Sequence, residues 1–272
     1  MFGFPVAPRT DGFQLRQNLL RTVVFQVKFP PNNGVLSRQN EWKEALQDAF
    51  PIAQELRIQD LSFEIVDQTP IVSSQQGSTG ALEFRTADQQ KIFTVKEDEL
   101  TLTILGPQYA NFQTVQQDLR GTIYKIADLL GLTVLTRTAI RKINLVNFQQ
   151  SNSPLPYEVE STYRTVFQNL LTLTSAAIPA AKHLFSGISN FRYHHDAHRL
   201  NLVYGLLPEP ASDGARQFVL DIDLINTTPN QPYADLSTSF AAINDEVFNV
   251  FSWSINQSLI DMLNTPESHP AA

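Results

Sequence analysis

Residues 99–131 read ELTLTILGPQYANFQTVQQDLRGTIYKIADLLG, and within them the spacing of apolar residues changes from two to between three and four. Leu100, Leu102 and Ile104 alternate with Thr101 and Thr103, the pattern of an antiparallel strand with one solvated face. Gly106-Pro107 stops it. Phe112, Val115, Leu119, Ile123, Ile126, Ala127 and Leu130 then fall on one stripe, which predicts a helix of about six turns over 109–130. Gly131 is the residue expected to end it. A strand that runs into a long amphipathic helix sets the fold class as α+β.

Upstream, residues 21–29 (RTVVFQVKF) are rich in β-branched and aromatic side chains and stop at Pro30-Pro31, which predicts another strand. Trp42, Ala45, Leu46, Ala49, Ile52 and Ala53 recur at helical spacing, so a helix is expected over 40–56, kinked or ended by Pro51. Further strands are expected over 61–66, 81–85 and 91–95. Downstream, residues 132–148 (LTVLTRTAIRKINLVNF) read as a long strand. The stretch QQSNSPLP at 149–156 is the most linker-like in the chain, which places a boundary between subdomains 1–150 and 151–272.

The second half repeats this order in shorter form. Residues 163–177 have a helical pattern, and FRYHHDAHRLNLVYG (191–205) reads as a hairpin with its tip at Asp196 and Ala197. QFVLDIDLIN (217–226) alternates as a strand, and a final helix runs from Tyr233 through Phe240, Val247, Phe251 and Leu263. Strand, loop, tyrosine and long helix thus occur twice. The expected architecture is antiparallel sheets each packed against a long amphipathic helix, with an internal duplication into two pseudo-symmetric halves left open.

Composition bounds the function. A chain of 272 residues with 42% hydrophobic content buries a sizeable core. Only 17% of residues are charged and the net charge is −7, whereas non-specific nucleic-acid binding is driven by a basic excess. Nucleic acid is therefore not the expected partner. With no cysteine, a disulfide scaffold, a zinc-cysteine site and a thiol nucleophile are all excluded. No apolar run reaches the roughly 18 residues that span a bilayer, and no signal-peptide pattern opens the chain, so the cytoplasm is the expected location.

The helix that starts YANF (109–112) and the strand TRTAIRKINLV (136–146) resemble the hallmark region of a sporadically distributed prokaryotic family of unknown function and similar length. That family's strand reads approximately R-I-G-L-R-Y-I-N. Arg137, Ile140, Arg141, Ile143 and Asn144 match it, while Ala139 stands for the glycine and Lys142 for the tyrosine. VLDIDL (219–224) resembles its apolar-Asp-apolar-Asp strand, and FSWSI (251–255) its closing helix. The resemblance extends over 21–263 and implies a fold and an accessory or defence-linked setting, with no activity attached.

Candidate sites follow from side-chain chemistry. Arg137 and Arg141 share one face of their strand with Ala139, Ile143 and Leu145. Arginines in line with apolar residues need carboxylate partners or an anionic ligand, and Asp221 and Asp223 are the carboxylates expected to meet them. Asn144 joins the candidate ligand or partner set through the family motif. Trp253 lies off the apolar stripe of the last helix, where an exposed aromatic anchors a protein interface. His194, His195 and His198 carry metal-ligand chemistry, although alternation in a hairpin sends His194 and His195 to opposite faces. Glu97, Asp98 and Glu99 crowd one turn, the usual place for solvated acids.

No phosphate loop, dinucleotide fingerprint, nucleophile elbow or HExxH helix occurs. The expectation is a non-catalytic binding or assembly protein with a protein partner or a second copy of itself, no cofactor and no catalytic residue. The alternative is a metal- or anion-dependent enzyme of unrecognised type.

Overall fold

The structure, a computed structural model, describes residues 2–7, 19–57, 60–66, 69–75, 79–148, 187–207 and 216–257. Strand β1 (Leu20–Lys28) is followed by α1 (Gly34–Ser37) and α2 (Gln39–Leu46). Then come β2 (Ile52–Arg57), β3 (Asp60–Val66), β4 (Thr69–Gln75), β5 (Thr79–Arg85), β6 (Lys91–Val95) and β7 (Glu99–Leu105). Helices α3 (Phe112–Leu119) and α4 (Lys125–Leu130) lead to β8 (Val134–Leu135) and β9 (Arg137–Phe148). Last in order are β10 (Gly187–His195), β11 (His198–Leu206), β12 (Arg216–Asn226), β13 (Gln231–Pro232) and α5 (Leu236–Ser254).

Nine strands form one sheet in the order β10-β11-β12-β9-β1-β7-β6-β5-β2, every pair antiparallel. In place of separate sheets for the two halves, β9 and β12 pair from Phe148↔Arg216 to Thr138↔Asn226, so segments 1–150 and 151–272 share this sheet. The 150/151 boundary itself, with the 163–177 helix pattern and the end of the last expected helix, lies outside the described residues. The resulting class is α+β.

Alternation decides which face is buried. Val23, Phe25 and Val27 on β1, Leu100, Leu102 and Ile104 on β7, and Leu220, Ile222 and Leu224 on β12 all enter one core. Helices cover that face. Val115, Leu119, Ile123 and Ile126 belong to the core cluster, as do Phe240, Ile243, Val247 and Val250 of α5. The Phe240 ring meets Phe25 edge-on at 5.6 Å, which ties α5 to the centre of the sheet. The other face carries no described helix. No helix among the described residues is long and apolar enough to cross a membrane.

Three sequence expectations change. The helix expected over 40–56 ends at Leu46, and Ile52 and Ala53 lie instead in β2, paired with Arg85 and Phe84. Pro51 explains the break, because it disfavours helix in the residue before it and cannot donate within one. The 109–130 helix starts at Phe112, where Asn111 and Thr114 form a reciprocal capping box, and it contains a π turn at Arg120–Tyr124. Gly131 closes it with left-handed φ 66° and ψ 35°. Strand β4 was not expected, since Pro70 and its serines obscure the alternation.

Candidate functional site

The residues singled out on 136–146 divide between the two faces of β9. Thr138, Ile140, Asn144 and Val146 are buried on the helix side. Asn144 is only 4% exposed and its Nδ2 donates to the Leu220 carbonyl at 3.1 Å. It therefore does not meet the arginines. Lys142, also on the helix side, donates to Tyr109 Oη at 3.1 Å and to Asn244 Oδ1 at 2.9 Å, and its ammonium lies 5.0 Å from the Tyr109 ring centroid. Polar partners from two elements thus accompany this charge into the core.

On the open face, Arg141 and Asp221 form a forked pair. Nε donates to Oδ1 at 2.9 Å and Nη2 to Oδ2 at 2.6 Å. The register shows how the pair arises: Asp223 is directly opposite Arg141, while Asp221 is opposite Ile143, so the guanidinium reaches one step diagonally along β12. Asp223 instead accepts from Asn201 Nδ2 at 3.0 Å. Burial pushes the Asp223 carboxyl above its ordinary value, against the opposing pull of Asn201, Arg137 and Arg141. The Asp221 bond holds the Arg141 guanidinium charged. Arg137 sits farther along the same face, and its Nε is buried with no hydrogen-bond partner.

These side chains form one wall of a groove of about 620 Å³. Strands β10 and β11 supply the rest, including Asn190, Arg192, His194, Arg199 and Asn201. Cross-strand pairing sets the rows: Arg192 opposes Asn201, which opposes Asp223, which opposes Arg141. In the next row His194 opposes Arg199, which opposes Ile225. The groove is thus a polar strip across four adjacent strands. Arg141 and Asp221 neutralise each other, so among the described residues Asp223 is the remaining acid that lines the groove with Arg192 and Arg199, and Arg137 also acts on it. Neither Arg192 nor Arg199 makes an ion pair among the described residues.

Sequence reasoning placed Arg141, Asp221 and Asp223 together but missed Asn190, Arg192, Arg199 and Asn201. The two-residue turn at Asp196 and Ala197, with Asp196 at φ 51°, fixes His195 opposite His198. Counting back from that pair sends Arg192 and Arg199 to one face, so the signal was present in the hairpin register.

The remaining candidates separate. His194 faces the groove, whereas His195 and His198 oppose each other on the helix side, His195 bonded to Asp196 at 3.2 Å. Among the described residues no three His, Cys, Asp or Glu side chains converge on a metal position. Burial lowers the His198 imidazole below its ordinary value, assisted by His195 and opposed by Asp196 and Glu246. Trp253 packs edge-on against Phe4 at 5.1 Å, so this aromatic meets the chain's own N-terminal segment. That segment is anchored by two backbone donations to α5, Phe2 N to Glu246 Oε1 at 2.9 Å and Ala7 N to Asn249 Oδ1 at 3.1 Å. Of the crowded acids, Glu99 is buried between Lys28 at 3.2 Å and Lys96 at 2.9 Å.

Compared with known proteins, the chain matches no family model and no curated protein.

Proposed function

We propose that this chain is a non-catalytic binding and assembly protein that engages a macromolecular partner through the open face of its sheet. The observation that carries the reading is the groove across β9, β12, β11 and β10, in which Arg192 and Arg199, without an ion pair among the described residues, lie beside an internally neutralised Arg141–Asp221 pair. Such a strip suits recognition: guanidinium forks present fixed donors, and the strands behind them are rigid. The resemblance of 136–146 and 219–224 to the sporadically distributed prokaryotic family supports an accessory or defence-associated role in the cytoplasm.

We also read the chain as two related halves. Strand β1, the meander β5–β6–β7 and helices α3–α4 follow the same order as β9, the meander β10–β11–β12 and α5. In each set the last meander strand lies beside the leading one, β7 beside β1 and β12 beside β9. With the boundary at 150/151, the groove takes β9 from the first half and β10–β12 from the second.

The test is capture from the source organism with tagged wild type and with the double variant Arg192→Glu/Arg199→Glu, followed by quantitative mass spectrometry. The expected result is one macromolecular partner recovered with the wild type and reduced at least tenfold with the variant. Recovery of the same set at the same level by both proteins would overturn the reading.

A further inference from the structure

Among the described residues the sheet has two edges, and they differ. Strand β2 is six residues long, carries Glu55 and loses its register with β5 between Leu56 and Arg57. Short length, charge and irregularity are the usual means of protecting an edge. Strand β10 is nine residues long, GISNFRYHH, without proline or acidic residue, and it keeps unbroken register with β11 from Gly187↔Leu206 to His195↔His198. In an antiparallel edge strand every second residue directs its N–H and C=O outward, so such a strand is a template for another.

Its side chains are exposed on both faces. On the helix side Phe191 (40% exposed) stacks on Tyr204 at 5.9 Å and 9° and neighbours Tyr193 (42%) at 6.4 Å. This makes a flat aromatic shelf on the helix side of β10 and β11. On the groove side stand Arg192 and His194, with Arg199 one strand in. Aromatic Phe191 and Tyr193 alternate along β10 with polar Arg192 and His194 and point the opposite way.

We propose that β10 is the docking edge for an extended acidic peptide segment that adds to the sheet as a tenth strand. The segment alternates acidic and apolar residues. Residues opposite Arg192 and His194 lie on the groove side and are carboxylates, and residues opposite Phe191 and Tyr193 lie on the aromatic shelf and are apolar. Main-chain pairing supplies the common part of the affinity and the two-faced alternation supplies the choice of sequence. Charge favours this occupant over a second copy. Two β10 strands paired about Phe191 put Arg192 opposite Asn190, which leaves the two arginines diagonal on one face at about 7–8 Å with no acid between them. Charge and geometry also disfavour single-stranded nucleic acid, because a base stacked on Phe191 is on the wrong side of the sheet for its phosphate to reach Arg192, and the chain is −7 overall.

This proposal rests on the binding-protein reading, and it is tested with the full chain and defined probes. The first probe is a fluorescein-labelled eight-residue peptide alternating Glu and Val. The comparators are the same residues in block order, the version with Lys for Glu, and a dodecamer of deoxythymidine. Anisotropy is expected to show one saturable site for the alternating acidic peptide, at least tenfold tighter than for any comparator and weakened by salt. Phe191→Ser and Arg192→Glu are each expected to weaken it at least tenfold with unchanged thermal unfolding, and Arg192→Glu/Arg199→Glu is expected to prefer the Lys version. Equal binding of the block peptide, wild-type binding by both single variants, or tighter binding of the oligonucleotide overturns the proposal. So does a dimer by light scattering that Phe191→Ser dissolves. If the captured partner depends on Arg192 and Arg199 while the alternating peptide does not bind, the edge proposal falls and the binding-protein reading stands.

Discussion

Arg141 and Asp221 share a fork but differ in surroundings. The Arg141 side chain is 49% exposed and the Asp221 side chain 11%. Removing the guanidinium leaves a buried carboxylate with two lost charge-assisted bonds, so Arg141→Ala is expected to cost about 1–3 kcal/mol in urea unfolding. Removing the carboxylate leaves a half-exposed guanidinium that water reaches, so Asp221→Ala is expected to cost less, under about 1 kcal/mol. Reversal of that order contradicts the assigned burial. Asp223 titrates the other way from a usual paired acid. Its folded pKa is raised, so the folded state holds the proton more tightly, and stability falls as pH rises from the ordinary carboxylate value through the folded one. Asp223→Asn removes that loss, and its melting temperature is expected to equal or exceed wild type at pH 7 and to lose any advantage below about pH 4. Glu99 has the opposite sign: burial pushes it up, but Lys96 and Lys28 outweigh that and hold it low, so its contribution is present at neutral pH and lost on acidification through its folded pKa.

At the scale of elements, close backbone approach limits what the docking edge tolerates. Gly205 adopts φ 147°, and a Cβ there would lie 1.9 Å from the Gly187 carbonyl oxygen. Gly205→Ala therefore has to push β10 away from β11. It is expected to cost at least about 2 kcal/mol and to speed amide exchange in 187–195 more than elsewhere. Period-two segments such as LTLTIL and VLDIDL were legible in the sequence because each strand sends its large apolar residues Leu100, Leu102 and Ile104, or Leu220, Ile222 and Leu224, to the core and mostly polar ones to the other face. Residues 40–56 were misread because Ile52 and Ala53 happen to continue the helical spacing of Trp42 and Leu46 past Pro51. Partner choice between strands was not legible: the diagonal reach of Arg141 to Asp221 depends on the β9–β12 register, which is set by contacts across 80 residues of chain.

Across the whole molecule, the helix layer on one face and the polar groove on the other make the sheet two-sided, and the N-terminal segment completes the covered side. Glu246 and Asn249 are buried on α5 and receive the Phe2 and Ala7 amides, while Phe4 covers Trp253. Sequence alone assigned Trp253 to an interface because nothing in its spacing reveals which segment will fold over it. Deleting residues 1–7 is expected to lower the melting temperature by about 4–8 °C, as a loss of roughly 2 kcal/mol would in a chain of this size. An unchanged melting temperature would show that these polar groups need no cover.

The most direct measurement is hydrogen–deuterium exchange on the complex with the captured partner, compared with the free chain. Protection is predicted in 187–207 and 216–226, the strands that carry Arg192, Arg199, Asp221 and Asp223, with 112–130 and 236–254 unchanged. Protection confined to the helices, with the β10–β11–β12 strands exchanging as in the free chain, would contradict the account.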